Sequence, residues 1–491
     1  MATSATNSNI GMLVESQQTD YGSLTEETNN KSLEDVYSII GVGKAQYMYW
    51  IILAVMCYFD SAELVVISTI VPILRCEWEL DVLWETLINV SGYFFSAVGG
   101  GVFAKLPDIY GRKKMITISL VLLFLSSSGS AMVQTKSQFL ALRCVSGLCM
   151  GITFPTCITF SSEIVKSSHR EMGPMFIVLF TNLSVFMSAV LAYLILNPLG
   201  WRWFIFLNAL PLVICVILLL CLLPESPRYL VVSGKRDQAT DAVQRMAKLN
   251  DITLPEHLNI TVQLDQEQGS ISDILKPNFR KETILMSVMY FGNLLLLFGT
   301  IVFVPLALYS GFCGGQSVPP AHECAEIQQE SLLELSIVTF GCVLAAGVGY
   351  IAALKAGRSL SLKVFSTASF LVTLFFFKCF SNIATVVLFF LIKFLQTSHN
   401  MITLIIIPEL YPTVFRNTAM SFINSWGKLG GVIGTGTVYV LYYYSPLLVV
   451  AMFCGSALLV AICSWIWNKE TKKAVIMDVT QFNDVLSQYD E

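Results

Sequence analysis

The sequence predicts an all-α membrane protein with twelve transmembrane helices in two six-helix bundles. Three observations predict this fold. The 491 residues are 55% hydrophobic and only 13% charged, whereas an ordinary soluble domain is about 25% charged. The mean hydropathy is +0.66. Some twelve apolar stretches are long enough to cross the bilayer, which takes roughly 20 residues each, and six of them lie on each side of a polar middle segment.

Lipid offers the backbone no hydrogen-bond partners, so these stretches must be helices. In the first half the spans are expected to begin near Tyr47, Glu85, Lys114, Ser137, Met172 and Gly200. In the second half they are expected to begin near Thr283, Leu332, Ser361, Thr385, Thr418 and Pro446. The predicted domains are a mostly disordered tail at 1–46, bundles at 47–223 and 283–468, a middle loop at 224–282 and a second tail at 469–491.

Lys and Arg in the short loops set the orientation of a membrane protein. Most of them fall on the side that also carries both termini, so we expect both termini to be cytosolic. The membrane is expected to be the plasma membrane or a cytoplasmic or synaptic vesicle membrane. The opposite side keeps little beyond Arg75, Lys136 and Arg202. The net charge of only -4 provides no basic field for a nucleic acid backbone, which excludes that class of partner.

We expect no cleavable signal sequence, because the first apolar run of the chain comes late and is too long for one. The stretch Tyr21-Gly22-Ser23-Leu24 matches a tyrosine-based sorting signal that an adaptor would bind, although such a four-residue pattern also occurs by chance. If the signal is used, the protein belongs to an endosomal or vesicle pool.

Three of the 13 cysteines, Cys76, Cys313 and Cys324, lie in loops on the predicted non-cytosolic side. This environment is oxidising, so we expect a Cys313–Cys324 disulfide bond. The alternative is a zinc site that adds His322, but it lacks a fourth ligand. No metal is predicted.

An internal repeat links the two halves. Glu163 and Arg170 follow the fourth span, and Glu409 and Arg416 follow the tenth at the same separation. Such acids and bases at the cytosolic helix ends can pair across the bundles when that side is closed and separate when it opens. The alternative is that the bases only fix topology and the acids cap helices. The predicted cytosolic gate comprises Asp108, Arg112, Glu163, Arg170, Glu225, Arg228, Arg358, Glu409 and Arg416.

The gate sequences of the two halves differ in one acid. Asp108 precedes the tight turn Gly111-Arg112, whereas Leu354 stands at the equivalent place before Gly357-Arg358. We call the acid–base pairs of the gate in each half its latch, and we expect the two latches to differ in strength.

With these motifs the chain resembles the major facilitator superfamily. The supporting stretches are Gly111-Arg112-Lys113, Gly200-Trp201-Arg202-Trp203 and Pro224-Glu225-Ser226-Pro227-Arg228. Leu33-Glu34-Asp35, Cys76-Glu77-Trp78, and Asp60 with Glu63 look most like the synaptic vesicle glycoprotein and synaptic-vesicle-related branch. The resemblance runs from about Leu33 to about Lys473 and implies a twelve-helix transporter fold with a central cavity, without a substrate.

Ionisable residues at membrane depth are costly and usually face a cavity or a partner. Asp60 and Glu63 lie three residues apart on one face of the first span. Two acids this close should not both stay ionised, so one could carry a proton; the pair could equally receive a cationic solute or sodium. Lys428, in the eleventh span, could bind a solute carboxylate or neutralise these acids, which would then be structural.

Polar groups within the spans complete the candidate site. Asn89, Gln396 and Asn400 are expected to line the cavity or to bond a neighbouring helix. The sequence shows no phosphate-binding Gly-rich loop followed by Lys-Ser/Thr and no catalytic constellation. We therefore expect neither an enzyme nor a bound cofactor, and the energy for transport must come from a gradient.

The predicted function is secondary active transport of a small organic solute, with an organic ion as the expected class and a proton or sodium as the coupling ion. The two bundles would alternate access to the cavity. The alternative is a transporter-like membrane protein that does not transport and acts in vesicle trafficking or docking through its tails.

Overall fold

The computed structural model describes residues 30–103, 105–166, 169–170, 172–255, 259–261, 271–309, 328–378, 381–411 and 413–468. These residues are almost entirely helical. The first half contains α1 (Leu33–Ile40), α2 (Lys44–Glu77), α3 (Val82–Val102), α4 (Leu106–Tyr110), α5 (Arg112–Ser130), α6 (Lys136–Glu163), α7 (Met172–Ala209) and α8 (Pro211–Leu222). The middle contains α9 (Pro227–Val232), α10 (Arg236–Leu249) and α11 (Ile271–Ile274). The second half contains α12 (Pro277–Tyr309), α13 (Gln329–Lys355), α14 (Arg358–Phe375), α15 (Asn382–Leu410), α16 (Thr413–Tyr444) and α17 (Pro446–Ile466).

The long helices are consistent with twelve membrane passes. Seven helical stretches in the described residues are long and apolar enough to cross a membrane. One of them, Met172–Leu222, bends at Gly200, whose φ of 82° lies in the left-handed region that glycine tolerates. If this stretch is taken as two passes, and α3, α5, α14 and α16 as one pass each, the helices are consistent with the twelve passes expected. The all-α prediction is confirmed.

Two equivalent glycines shape the tight turns that the repeat predicts. Gly111 has a φ of 105° and begins α5, and Gly357 has a φ of 96° and begins α14. A side chain at either position would be strained in this conformation. The two halves thus use the same turn at the same place.

Three apolar clusters show how the two bundles meet. We call the end of the molecule that carries α1, the middle helices and residue 468 the terminal face, and the other end the opposite face. At the opposite face, one cluster joins both bundles and includes Leu74 and Phe303. Toward the terminal face each bundle has its own cluster, around Phe160 in the N-terminal bundle and Ile406 in the C-terminal bundle. The bundles are therefore packed together mainly at the opposite face.

A small layer of structure covers the terminal face of the N-terminal bundle. Strand β1 (Asn30–Ser32) pairs in parallel with β2 (Asn259–Thr261) from the middle segment. The apolar side of α1 packs against the bundle and against α10. The tail expected to be mostly disordered thus contains a strand and a helix, while residues 1–29 lie outside the described part of the chain.

Candidate functional site

A buried ion pair joins two helices of the N-terminal bundle. Glu63 of α2 and Arg143 of α6 are both almost fully buried, and the Arg143 Nη1 atom lies 2.6 Å from Glu63 Oε2. Ser127 donates a second hydrogen bond to Glu63, and Arg143 donates one to Ser130 over 2.6 Å. The charge of Glu63 is therefore compensated within its own bundle.

A small cavity lies beside this ion pair. Its walls include Asn89, Tyr93 and Met150, and its volume of about 10 Å³ is close to the space that one water molecule needs. The predicted site residue Asn89 lines this cavity and also donates to the Glu85 carbonyl oxygen over 3.2 Å. The cavity in this conformation is too small for an organic solute.

The second acid of α2 faces the other bundle. Asp60 is 5% exposed, and the charge on Lys428 of α16 acts on it across the boundary between the bundles. The Asp60 Oδ1 atom has no hydrogen-bond donor among the described residues. Among the described residues, the hydrogen-bond acceptor near the Lys428 Nζ atom is the Ser96 carbonyl oxygen of α3, at a long distance of 3.5 Å. Asp60 and Lys428 thus form an opposite-charge pair between the bundles with capacity for further partners.

Polar side chains also line the α12–α15 contact in the C-terminal bundle. Asn293 donates to Asn400 over 3.2 Å, and Thr300 donates to Gln396 over 3.1 Å. The predicted residues Gln396 and Asn400 therefore bond a neighbouring helix in this conformation. The amide nitrogen of Gln396 has no acceptor among the described residues, so this side chain keeps a free donor.

The C-terminal bundle holds a base that the sequence analysis missed. Lys393 is 2% exposed and donates to the Leu297 carbonyl oxygen over 3.2 Å. Lys428 is therefore not the only lysine deep in this half. The repeat indicates this position, because Arg143 and Lys393 each lie within the helix that ends at or next to the latch acid of its half.

The first predicted gate sequence forms a compact network at the terminal face. Arg112 binds Glu163 over 3.0 Å and Asp108 over 2.8 Å. Ser226 donates to the second oxygen of Glu163 over 2.5 Å. Glu225 accepts a hydrogen bond from the backbone nitrogen of residue 113 over 2.9 Å. These contacts join α4, α5 and α6 to the start of the middle segment, all within the N-terminal half.

The second gate sequence forms an ion pair within the C-terminal bundle. Arg358 binds Glu409 through two bonds of 3.0 and 2.5 Å, and Leu354, in place of the acid, is exposed. The side chain of Arg416 lies outside the described residues. In this conformation each latch lies within its own bundle, and the expected inequality of the two latches stays a prediction.

Arg170 and Arg228 have different surroundings from Arg112 and Arg358. Arg170 binds Glu34 of α1 over 2.6 Å, so the N-terminal helix occupies it. Arg228 lies within electrostatic reach of Glu163. The predicted gate residues of the first half therefore surround Glu163, with α1 as an additional neighbour.

The cysteine chemistry at the opposite face is partly visible. Cys76, at the end of α2, is disulfide-bonded, whereas nine other described cysteines are free thiols. Its partner therefore lies outside the described residues. The expected Cys313–Cys324 bond, the zinc alternative with His322 and the sorting stretch Tyr21–Leu24 also lie outside them.

Two helical bundles with ionisable side chains at membrane depth, and opposite charges that act across the boundary between them, are typical of a multi-pass membrane transporter. The model of the Major Facilitator Superfamily matches residues 50–435. The chain therefore belongs to this superfamily, whose members are transporters that bind small solutes within the bilayer.

Individual relatives agree with this assignment. The chain is 27% identical over 453 residues to the synaptic vesicle 2-related protein of Pongo abelii, covering 90% of this chain and 81% of the relative. It is 24% identical over 443 residues to the organic cation/carnitine transporter 7 of Arabidopsis thaliana, covering 82% of this chain and 87% of that one. A partially occluded, inward-open structure of the xylose transporter XylE from E. coli matches with a TM-score of 0.65 at 16% identity, covering 88% of this chain and 99% of that one.

Proposed function

We propose that this protein is a secondary active transporter of small organic ions that works by alternating access of its two bundles. The observation that carries the proposal is the Asp60–Lys428 pair. Its members belong to different bundles, both lie at membrane depth, and each has few other polar contacts. A charge inside the bilayer costs several kcal/mol, and one placed between moving parts can bind a ligand there.

A charged solute would compete for one member of this pair. A cationic group would replace Lys428 beside Asp60, whose free oxygen can accept a hydrogen bond. An anionic group would instead replace Asp60 beside Lys428. Asn89, Gln396 and Asn400 would then provide neutral hydrogen bonds from both bundles. The name of the Arabidopsis relative supports organic ions as the substrate class.

The proposed coupling ion is a proton, bound at Asp60. The Glu63 carboxylate accepts hydrogen bonds from the N–H and O–H groups of Arg143 and Ser127, whereas the Oδ1 atom of Asp60 accepts none among the described residues. A sodium ion needs several oxygen ligands in place of such donors. A proton on Asp60 would neutralise this carboxylate and end its electrostatic attraction to Lys428. A structural neighbour that is a D-xylose-proton symporter supports this choice.

The terminal face is proposed to be cytosolic, because most Lys and Arg of the short loops lie there. Both termini would then be cytosolic, in the plasma membrane or in a vesicle membrane. The Tyr21–Leu24 stretch is proposed to direct the protein to the second of these through an adaptor. Unchanged location after Tyr21→Ala would contradict that route.

The proposal is tested by a thermal-shift screen of the purified protein at pH 5.5 and 7.5, with organic cations, carboxylates and sugars. A ligand that binds the folded state must raise its stability by mass action. Asp60→Asn should abolish the shift by a cation, and Lys428→Gln should abolish the shift by a carboxylate. Glu330→Gln, which changes an exposed acid on α13, is the matched control and should leave both shifts intact.

Each outcome of the screen has a definite reading. A hit that depends on Asp60 or Lys428 supports the proposal, and uptake of that compound into liposomes under a proton gradient completes it. If no compound shifts the melting temperature and both variants are as stable as the parent, the pair has no binding role. The non-transporting alternative would then describe the protein better.

A further inference from the structure

A third buried acid, which the candidate site does not use, lies near the opposite face. Glu85, in the first turn of α3, is 4% exposed. Its Oε1 atom lies 3.2 Å from Arg75 Nε of α2 but receives no hydrogen bond among the described residues. Asp81, one turn earlier, adds a like charge. The carboxylate is therefore buried with incomplete compensation.

The C-terminal bundle covers this carboxylate. Helix α16 approaches α3 closely at Gly436, where an added Cβ would lie 3.0 Å from the side chain of Val90. Tyr439, one turn further toward the opposite face, is 4% exposed and interacts electrostatically with Glu85, Arg75 and Tyr309. The Tyr309 hydroxyl has no hydrogen-bond partner among the described residues, and the Asn89 side chain of α3 lies within reach of the Tyr439 hydroxyl.

The elements packed around Glu85 thus bring four ionisable neighbours. Arg75 comes from α2, Asp81 precedes α3, and Tyr439 and Tyr309 come from the other bundle. Only the two tyrosines would move away if the bundles separated at this face, because Arg75 and Asp81 belong to the same bundle as Glu85. Separation would then admit water to the carboxylate.

We propose that Glu85 is a proton-binding residue of the gate at the opposite face, occupied by a proton when this gate is closed. The inference rests on the proposed alternating access. A closed gate buries the carboxylate, and burial of a charge without full hydrogen bonding is unfavourable. An open gate hydrates it. The ionised form therefore favours the open gate, and the protonated form favours the closed gate.

This arrangement gives the proton a defined place in the transport cycle. A proton taken up from the opposite side neutralises Glu85 and permits the gate to close over it. The reverse change requires the proton to leave as the gate opens. Acid on the opposite side thus promotes closure, which connects the proton gradient to the direction of the conformational change.

The test measures the gate directly and does not need a known solute. Two spin labels are introduced as non-canonical amino acids at Leu83, in the first turn of α3, and at Tyr444, the last residue of α16. Both positions lie at this face, and their side chains are 63% and 75% exposed. The distribution of distances between the two labels is recorded by double electron–electron resonance for the full chain in nanodiscs at pH 5.5 and 8.0. The parent is expected to show more of the long distance at pH 8.0, with the open-to-closed ratio rising about fivefold or more.

Variants separate Glu85 from other titrating groups. Glu85→Gln should keep the short distance dominant at both pH values, whereas Glu85→Asp, which remains ionisable, should retain the response and shows that the site tolerates replacement. Glu330→Gln removes an exposed acid on the same face and should behave as the parent.

A pH response that persists in Glu85→Gln would overturn the assignment of the proton to this residue. Two distances that coexist in the parent without any pH dependence would overturn it as well, while leaving alternating access intact. A single distance in every variant and condition would overturn both the gate and the proposed transport function.

Discussion

The ion pair between Glu63 and Arg143 gives the most demanding test of the N-terminal bundle. Its side chains are only 5% and 2% exposed, so removal of one partner leaves the other charge buried. Such a change costs about 3–5 kcal/mol. We therefore expect Glu63→Gln and Arg143→Met each to lower the free energy of unfolding by about that amount.

The double variant removes both charges together and should be no less stable than either single variant. Replacement of a whole buried pair by neutral groups is often close to neutral. Because the double variant is expected to cost no more than one single variant, the coupling free energy from the double-mutant cycle is expected to be at least about 3 kcal/mol. Reversible unfolding in mixed micelles, followed by tryptophan fluorescence, would provide the four free energies.

The chain supplies its own control for this cycle. Arg202 and Glu77 form a pair at the opposite face over 3.0 Å, with side chains 45% and 35% exposed. An exposed pair is worth only about 0–1 kcal/mol, so its cycle should give a coupling free energy in that range. If the two cycles give the same coupling, the argument from burial is wrong and Glu63 is accessible to water in this conformation.

Three further predictions concern other parts of the fold. Gly151→Ala should destabilise by about 1–3 kcal/mol, because its Cβ would lie 2.7 Å from an amide nitrogen of α3, whereas Gly101→Ala meets no atom within 4 Å and should change little in the same unfolding assay. The Lys44 ammonium lowers the pKa of Asp251. The pair therefore stabilises the folded protein above the ordinary carboxyl pKa, and this stabilisation is lost as the pH falls through the lowered pKa. The difference in melting temperature between the parent and Asp251→Asn should vanish in strong acid, and a difference that does not change with pH would contradict the pairing. Non-reducing peptide mapping should find Cys76 cross-linked, and a free thiol there would contradict the structure. Its partner is expected among the cysteines outside the described residues, Cys313, Cys324 and Cys379.

The hydropathy pattern and the glycine turns of the sequence predict most of the fold. The helix beginning at Met172, the bend at Gly200 and the helix beginning at Pro446 fall where the sequence places them. Helix α12 begins earlier than expected, at Pro277 and not at Thr283, because a polar first turn continues the helix beyond the apolar stretch. Helix ends in water are invisible to a pattern based on apolar length.

The site was harder to predict, because its chemistry depends on partners far apart in sequence. Asp60 and Glu63 share a helix face, yet Glu63 meets Arg143 in its own bundle, while Asp60 faces Lys428 in the other. No local sequence pattern distinguishes an acid that pairs within its own bundle from one that faces the other bundle. Glu85 was overlooked because it stands at the start of a span, where a charge usually reaches water; only the cover by α16 buries it.

The distribution of these contacts identifies what must change during transport. The pairs Glu63–Arg143, Arg112–Glu163 and Arg358–Glu409 each lie within one half of the chain, so a rigid-body movement of the bundles would leave them intact. The electrostatic interactions of Asp60 with Lys428 and of Glu85 with Tyr439 act between the halves and would weaken when the bundles move apart.

Strong ion pairs thus hold each bundle together, whereas the crossing contacts are long or incompletely hydrogen-bonded. A molecule built this way can separate its bundles at low cost, because the groups released are ones that a solute or water can then satisfy. The same weakness would be a liability in a protein that only needed to be stable, and this is the physical reason to regard the crossing charges as functional.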